Sequence, residues 1–246
     1  MKKSIFWKFL IYFIIYSIVG FLLETIYAIF TKGMLESRQS FLYGPFCIVY
    51  GIAAIVMIIT LSRYKKSNVK LFFYGVIVGC TVEYLASYIG ELMFHVKWWD
   101  YSNDFLNING RTCLYYAVLW GFLSIILIRY VNPALDRAID FTIDKVSNIL
   151  LKSAISLITI FMTFDGLITC YALDNFLVRV ANEYNINING IDAKEASDIY
   201  FGDAFSNEKM MMTYPNIIVV NDKGDIVHLE TVLNDIKNYY YKFGSR

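Results

Sequence analysis

Four acidic side chains of this sequence lie inside long apolar runs, where a charge is expensive. An ionised carboxylate at the centre of a membrane-spanning helix costs about 2.5–3.5 kcal/mol on insertion scales, so such a group faces protein, pairs with a cation or takes up a proton. Two arginines stand near the ends of the same runs. These six residues are the candidates for handling a charged substrate or a proton: Glu24, Glu83, Glu91, Asp165, Arg38 and Arg111.

Two of the acids belong to a repeated pattern. A glycine lies four residues before each of them, giving Gly20-x-x-x-Glu24 and Gly79-x-x-x-Glu83. Residues four apart share one face of a helix, and a glycine lets a second helix approach closely beside the acid. Each pattern is followed by a loop with one of the arginines and then by an aromatic–glycine pair, Tyr50-Gly51 or Trp120-Gly121. Duplicated helical hairpins with a site between them are typical of transporters.

The same residues also fit a purely structural role. Glu24 and Glu83 would then form salt bridges with Arg38 and Arg111 that lock pairs of helices together. The sequence favours neither interpretation over the other.

The elements that must position these side chains are membrane helices. Of the 246 residues, 57% are apolar and only 17% are charged, whereas about a quarter of a soluble domain is charged. The pattern predicts an all-α polytopic membrane protein with about five transmembrane helices, arranged as two similar hairpins plus one, and a small α+β tail. We expect a helical bundle over residues 1–173, and its predicted spans are 6–30, 41–61, 71–96, 112–131 and 149–173.

Charge and cysteine usage exclude several other classes. The formal net charge of +1 excludes electrostatic nucleic-acid binding as a main role. The four cysteines show neither C-x-x-C nor zinc-site spacing, so we interpret them as packing residues and expect no metal and no cofactor. There is also no P-loop and no hydrolytic signature, so we expect no enzyme, although membrane acids that act on a lipid would leave no such motif.

Loop charges predict the orientation in the membrane. Residues 62–70 carry four positive charges and no negative one, which is typical of a cytoplasmic loop. The N-terminus is then cytoplasmic, and five spans leave the C-terminal tail outside. With six spans the tail would be inside.

Two regions lie outside the spans. Asn132-Pro133 predicts the start of an amphipathic helix over residues 133–148, with an acidic stripe of Asp136, Asp140 and Asp144. This helix either rests on the membrane interface or docks a cytosolic partner. Residues 174–246 are polar and form a small α+β region, in which two strands flank Asn221-Asp222-Lys223-Gly224 as a β-hairpin.

Several longer strings resemble a known family. Residues 38–46 read R-x-S-F-L-Y-G-P-F, residues 98–102 read W-W-D-Y-S, residues 107–111 read N-I-N-G-R, and the tail contains E-K-M and Y-P-N. Together with the two glycine–acid patterns they resemble the bacterial putative ABC-transporter type IV permease family. The similarity runs from about residue 10 to about 217, and Phe21 stands where many members have tryptophan. The resemblance assigns motif positions to Gly20, Gly44, Pro45, Gly79, Trp99, Asp100 and Gly110.

The resemblance implies a multi-pass protein of the bacterial cytoplasmic membrane. Our first hypothesis is a transporter permease in which Glu24 and Glu83 handle substrate or protons and the arginines are their charge partners. Beyond the lipid bilayer, its partners would be a separate ATPase subunit or further copies of the chain. The second hypothesis is a membrane scaffold or regulator that binds partners through its tail and amphipathic helix. A lipid-modifying enzyme is the third.

Overall fold

The computed structural model describes residues 5–191, 205–233 and 241–242. Six helices dominate this part of the chain: α1 (Ile5–Lys32), α2 (Ile48–Leu61), α3 (Asn68–Phe94), α4 (Leu114–Ile126), α5 (Asn132–Lys145) and α6 (Asn148–Glu183). The short elements are β1 (Met34–Leu35), β2 (Val96–Lys97), α7 (Asn207–Thr213), β3 (Ile218–Val220), β4 (Ile226–His228), α8 (Leu229–Val232) and β5 (Tyr241–Lys242).

Four helical stretches of the described residues are long and apolar enough to cross a membrane. They are α1, α3, the stretch Leu114–Ile143 and α6. Large apolar side chains on these helices point away from the protein: Phe73, Ile77 and Leu167 are each at least 60% exposed. So large an apolar surface is unfavourable in water and matches lipid tails, so the prediction of a helical membrane protein is confirmed.

The second predicted span is shorter than expected. α2 has 14 residues and begins at Ile48, while Cys47 before it is extended, so residues 41–47 are not helical. Pro45 lacks an amide donor and disfavours helical geometry in the residue before it. A bilayer crossing takes about 20 helical residues, so the prediction of five full spans is not confirmed.

The predicted helix begins at Asn132, with Pro133 in its first turn, but it is not a separate helix capped by Asn132. The chain passes from α4 through a π-helical turn, Leu127–Val131, directly into α5. A proline inside a helix clashes with the carbonyl four residues earlier, here that of Arg129, and a wider turn at this point gives the ring room. The Asn132 side chain does not cap a helix but accepts a hydrogen bond from the Tyr16 hydroxyl at 3.1 Å.

The chain divides into two compact units. The first consists of Met1–Gly20, Phe46–Ala86 and Tyr101–Thr163, and the second of Phe21–Pro45, Ser87–Asp100 and Phe164–Arg246. α1, α3 and α6 each contribute residues to both. The first unit is helical throughout its described elements, and the second contains the strands.

The second unit has its own apolar core. α6 extends ten residues beyond the predicted end of its span at 173, and the side chains of these last turns pack against the tail. The core includes fully buried residues from α6, α7, β2, β3 and α8, namely Phe176, Leu177, Val180, Met210, Val96, Val219 and Leu229.

A three-stranded antiparallel sheet covers this core. β3 pairs with β4, with Val219 opposite Val227, and the side chain of Asn221 accepts hydrogen bonds from the amides of Lys223 and Asp225 in the turn between them. The predicted tail hairpin is therefore confirmed. The third strand comes from far along the chain: β2, which follows α3, pairs with β3 through Val96 and Val219. The tail thus lies beside the loop that follows α3.

Candidate functional site

In the first unit, each glycine of the repeated pattern receives the aromatic ring of the next helix. A Cβ atom on Gly20 would lie 2.3 Å from the Cβ of Tyr50, and one on Gly79 would lie 2.4 Å from Cγ of Trp120. Real Cβ atoms do not approach other atoms so closely, so only glycine allows α1 to meet α2, and α3 to meet α4, at these points.

The glycines that follow the two aromatics make a second contact of the same kind. A Cβ on Gly51 would collide with Phe13 and Ser17 of α1, and one on Gly121 would collide with Phe72 of α3. The rings of Tyr50 and Trp120 then meet each other, with centroids 5.7 Å apart and planes inclined at 42°. The two hairpins of the sequence pattern thus have matching contacts.

Glu83 lies one helical turn beyond Gly79 and is almost fully buried, with 5% of the residue exposed. The Thr112 hydroxyl donates to one carboxylate oxygen at 2.7 Å, and the Tyr101 hydroxyl approaches the other at 3.4 Å. Both partners come from the segment between α3 and α4. The arrangement satisfies a buried acid with hydroxyl groups, as a low-dielectric environment requires.

Arg111 is adjacent to this cluster. It precedes Thr112 in the chain, is 8% exposed, and its guanidinium lies 5.7 Å from the ring centroid of Tyr84, the residue that follows Glu83. Residues 83–84 of α3 and 111–112 of the loop therefore contact each other twice. The ring of Tyr101 stacks on the ring of Tyr116, with centroids 4.5 Å apart. This contact joins the loop to α4.

Asp165, in the second unit, holds the R-x-S-F-L-Y-G-P-F segment. Its carboxylate, 2% exposed, accepts the backbone amide of Tyr43 at 3.1 and 3.3 Å. One turn further along α6, the Thr169 hydroxyl accepts the amide of Leu42 at 3.0 Å. These bonds supply acceptors for amides that no helix satisfies, and they explain why the segment stays non-helical before α2.

Arg38 is part of a cluster that sequence reasoning missed. Its Nη2 donates to Glu36 at 3.0 Å, and Lys32 donates to both oxygens of the same carboxylate at 3.0 and 3.1 Å. Asn216 of the tail joins it, accepting from Lys32 at 2.6 Å and donating to Glu36 at 3.3 Å. The available signal was the spacing of Lys32, Glu36 and Arg38, an acid flanked by two cations just after a span.

The two remaining acids also lie in the second unit. Glu24 is half-buried on α1, and Glu91 lies 3.9 Å from the Nζ of Lys97. The structure thus assigns Glu83 and Arg111 to the first unit, and Glu24, Arg38, Glu91 and Asp165 to the second.

The other motif residues shape loops. Gly44 is buried next to exposed Pro45 in the segment that Asp165 holds. Gly110 has a φ of +66°, which favours glycine, and its carbonyl accepts the amide of Tyr101 at 2.8 Å. Trp99 and Asp100 are half-buried in the W-W-D-Y-S string.

The acidic stripe of α5 is partly engaged within the first unit. Asp136 accepts the Nζ of Lys8 at 2.7 Å and the hydroxyl of buried Tyr12. Asp140 is exposed on the same helix. The predicted helix therefore contacts α1 through one acid of the stripe, Asp136.

Tyr214 of the tail's Y-P-N string lies in the core of the second unit. Its ring packs against Trp98 at 5.4 Å, and its hydroxyl approaches the carbonyl of Ser40 at 3.4 Å. Burial raises the pKa of the Tyr214 hydroxyl above its usual value, because the charged form loses its hydration. Within the described residues, no three acidic, cysteine or histidine side chains are grouped to hold a metal.

Comparison with known proteins identifies the family. A family model described as putative ABC-transporter type IV matches residues 11–170, which is more than half of the chain and includes the repeated hairpins. A search of the curated proteins finds no match, and neither does a search of the solved structures. The chain is thus a multi-pass membrane protein that belongs to the putative ABC-transporter type IV family.

Proposed function

We propose that the protein is the membrane-embedded permease subunit of a transporter, with its charge-handling site at Glu83. The observation that carries the proposal is the burial of this acid in an apolar helix, 5% exposed and bonded by the hydroxyls of Thr112 and Tyr101. A buried acid within a membrane helix is a functional candidate by default. Family membership supports the transporter class.

In this proposal Glu83 binds the cationic group of a substrate, or a coupling proton, in place of the hydroxyl of Thr112. Arg111 supplies the opposite charge beside it, because residues 111–112 contact residues 83–84. Energy would come from a separate ATPase subunit, since the sequence contains no P-loop. Glu24 lies one turn beyond Gly20 in the first hairpin and corresponds there to Glu83 of the second hairpin.

Membrane vesicles test this proposal for many candidate substrates at once. Right-side-out and inverted vesicles are prepared from bacteria with and without the protein, so that the host's own ATPase subunits remain present. They are loaded or supplied with ATP and exposed to a mixture of isotopically labelled ions, amino acids, sugars and organic acids. Mass spectrometry of the vesicle contents then reports any solute that the protein moves.

Charge-neutral variants test the site. We expect Glu83→Gln to reduce protein-dependent transport to the background of vesicles without the protein, and Glu24→Gln to do the same. Asp104→Asn removes an exposed acid of the first unit and serves as the matched control, with transport unchanged. If no solute distinguishes vesicles with and without the protein, the permease proposal is wrong. If Glu83→Gln transports normally, the site is wrong.

We also propose that the tail lies outside the cytoplasm. The positive segment 62–70 favours a cytoplasmic position for that loop, and the tail pairs with the strand that follows the other end of α3. Protease added to intact spheroplasts should cleave the tail, and cleavage only after lysis would reverse the assignment.

A further inference from the structure

Two aromatic rings close the seam between the hairpins of the first unit. Tyr50 of α2 and Trp120 of α4 meet with ring centroids 5.7 Å apart, and Trp120 is 8% exposed. Each ring lies against the glycine of its own hairpin, Gly20 or Gly79. The two rings therefore fill the space between the hairpins. Each ring packs against a glycine of its own hairpin, where there is no side chain.

Such a closure can open at low cost. The glycines place backbone behind each ring, and the hairpins meet at this level through the side chains of Tyr50 and Trp120. Rotation of the two side chains, or a small displacement of one hairpin, is sufficient to separate the rings.

The two hairpins differ in how firmly they are held. In the second hairpin the Ser124 hydroxyl lies against Gly75 and has two acceptors for its one proton, the carbonyls of Leu71 and Gly121 at 2.7 and 2.8 Å. In the first hairpin Ser17 lies against Gly51 in the same manner and is 0% exposed. Its hydroxyl has no hydrogen-bond partner among the described residues. A buried unpaired hydroxyl is unfavourable, so the contact between α1 and α2 is the weaker of the two.

The buried acid lies directly beyond the rings. Glu83 follows Gly79 by one helical turn, and residues four apart share one face of a helix. A solute that passed the Trp120 ring would therefore meet the Glu83 carboxylate next.

From these contacts we infer that Tyr50 and Trp120 are the gate of the transport path, which runs between the two hairpins. This inference rests on the proposed permease function and adds the position of the path. The gate opens by movement of the first hairpin, since that is where a polar group is left unpaired.

Leak through purified protein in vesicles tests the gate without a native substrate. Liposomes that contain the protein are loaded with KCl, diluted into potassium-free buffer with a protonophore to balance charge, and followed with a potassium electrode. We expect Trp120→Ala and Tyr50→Ala each to raise potassium efflux by about tenfold or more over the wild type, because apolar constrictions are what hold a narrow path closed. Trp120→Phe should remain closed.

The matched control is Phe122→Ala. Phe122 lies two residues from Trp120 on α4, is 56% exposed, and packs against Phe72 of its own hairpin with ring centroids 5.1 Å apart, so its removal should leave efflux at the wild-type rate. Trp120→Leu, which keeps more apolar volume than alanine, gives a second test if Trp120→Ala is not recovered as folded protein. Folded ring variants with wild-type efflux would overturn the gate.

The two proposals can fail separately. Leak in the ring variants without any solute transport in the vesicle experiment would support the gate and refute the permease. Solute transport with no leak in folded ring variants would support the permease and refute the gate.

Discussion

The Glu36→Ala substitution gives the sharpest test of how the second unit is held together. The carboxylate of Glu36 is 2% exposed and accepts hydrogen bonds from Lys32, Arg38 and Asn216. These partners come from the end of α1, the loop after it and the tail. Removing the carboxylate leaves two cations facing each other without an anion between them.

The expected loss follows from the exposure of each partner. Arg38, whose side chain is 20% exposed, makes a charge-assisted bond worth about 1.5 kcal/mol or slightly more. Lys32 is 38% exposed, so water screens its pair and the contribution falls to at most about 1 kcal/mol. With the bond from Asn216 included, we expect the free energy of unfolding to fall by about 2–3 kcal/mol.

The measurement is thermal unfolding of purified protein in detergent. A loss of this size lowers the melting temperature by roughly 5–10 °C in a chain of this length. Glu230→Ala is the matched control: this acid is exposed on α8 in the same unit, and its removal should shift the melting temperature by about 1 °C or less.

A second substitution separates charge from packing. Glu36→Gln keeps the volume and an acceptor oxygen, so it should lose about half of the effect of alanine. A melting temperature unchanged in Glu36→Ala would refute the view that this cluster fastens the tail. Equal losses in Glu36→Ala and Glu36→Gln would show that charge carries the whole effect.

Three further predictions follow from buried groups. Asp165→Ala removes the acceptor for the Tyr43 amide and should cost about 1–3 kcal/mol and increase proteolysis at residues 38–46; resistance equal to the wild type would contradict it. Gly79→Ala forces a Cβ against Trp120 and should cost about 1–3 kcal/mol in thermal unfolding, whereas unchanged stability would mean that α3 and α4 do not need to approach each other closely at this glycine. Because burial raises the pKa of Tyr214, its stabilising neutral form is fully present below the unfolded pKa of about 10 and is lost as pH rises through the higher folded value. Wild-type stability should therefore fall more steeply above pH about 10 than that of Tyr214→Phe, and parallel curves would refute this.

The sequence predicted the elements whose signal is local. The apolar runs placed α1, α3 and α6 within a few residues of their start, because helix formation in lipid depends on a continuous stretch of apolar side chains. The tail hairpin followed from its turn residues in the same way. Local signals were misleading where a distant partner intervened: residues 41–47 are apolar enough for a helix, but Asp165 and Thr169 bind the amides of Tyr43 and Leu42.

The partners of the charged residues could not be predicted from the sequence. We expected Arg38 to partner an acid of the spans, and the structure pairs it with Glu36. The hydroxyl partners of Glu83 carry no charge and have no signature that distinguishes them from other threonines and tyrosines. Hydrogen bonds and ion pairs depend on distances of a few ångströms between side chains far apart in the chain, and no local pattern encodes these distances.

The sequence by itself thus determined that the chain is a helical membrane protein of this family. It also showed which glycines recur before the acids, and which charged residues are too costly in lipid to lie there by chance. The tertiary structure decided which groups satisfy those acids, how the tail joins the loop after α3, and that Tyr50 and Trp120 meet between the hairpins. The reason is physical: hydropathy adds along a segment of chain, whereas packing and hydrogen bonding exist only between surfaces that folding has brought into contact.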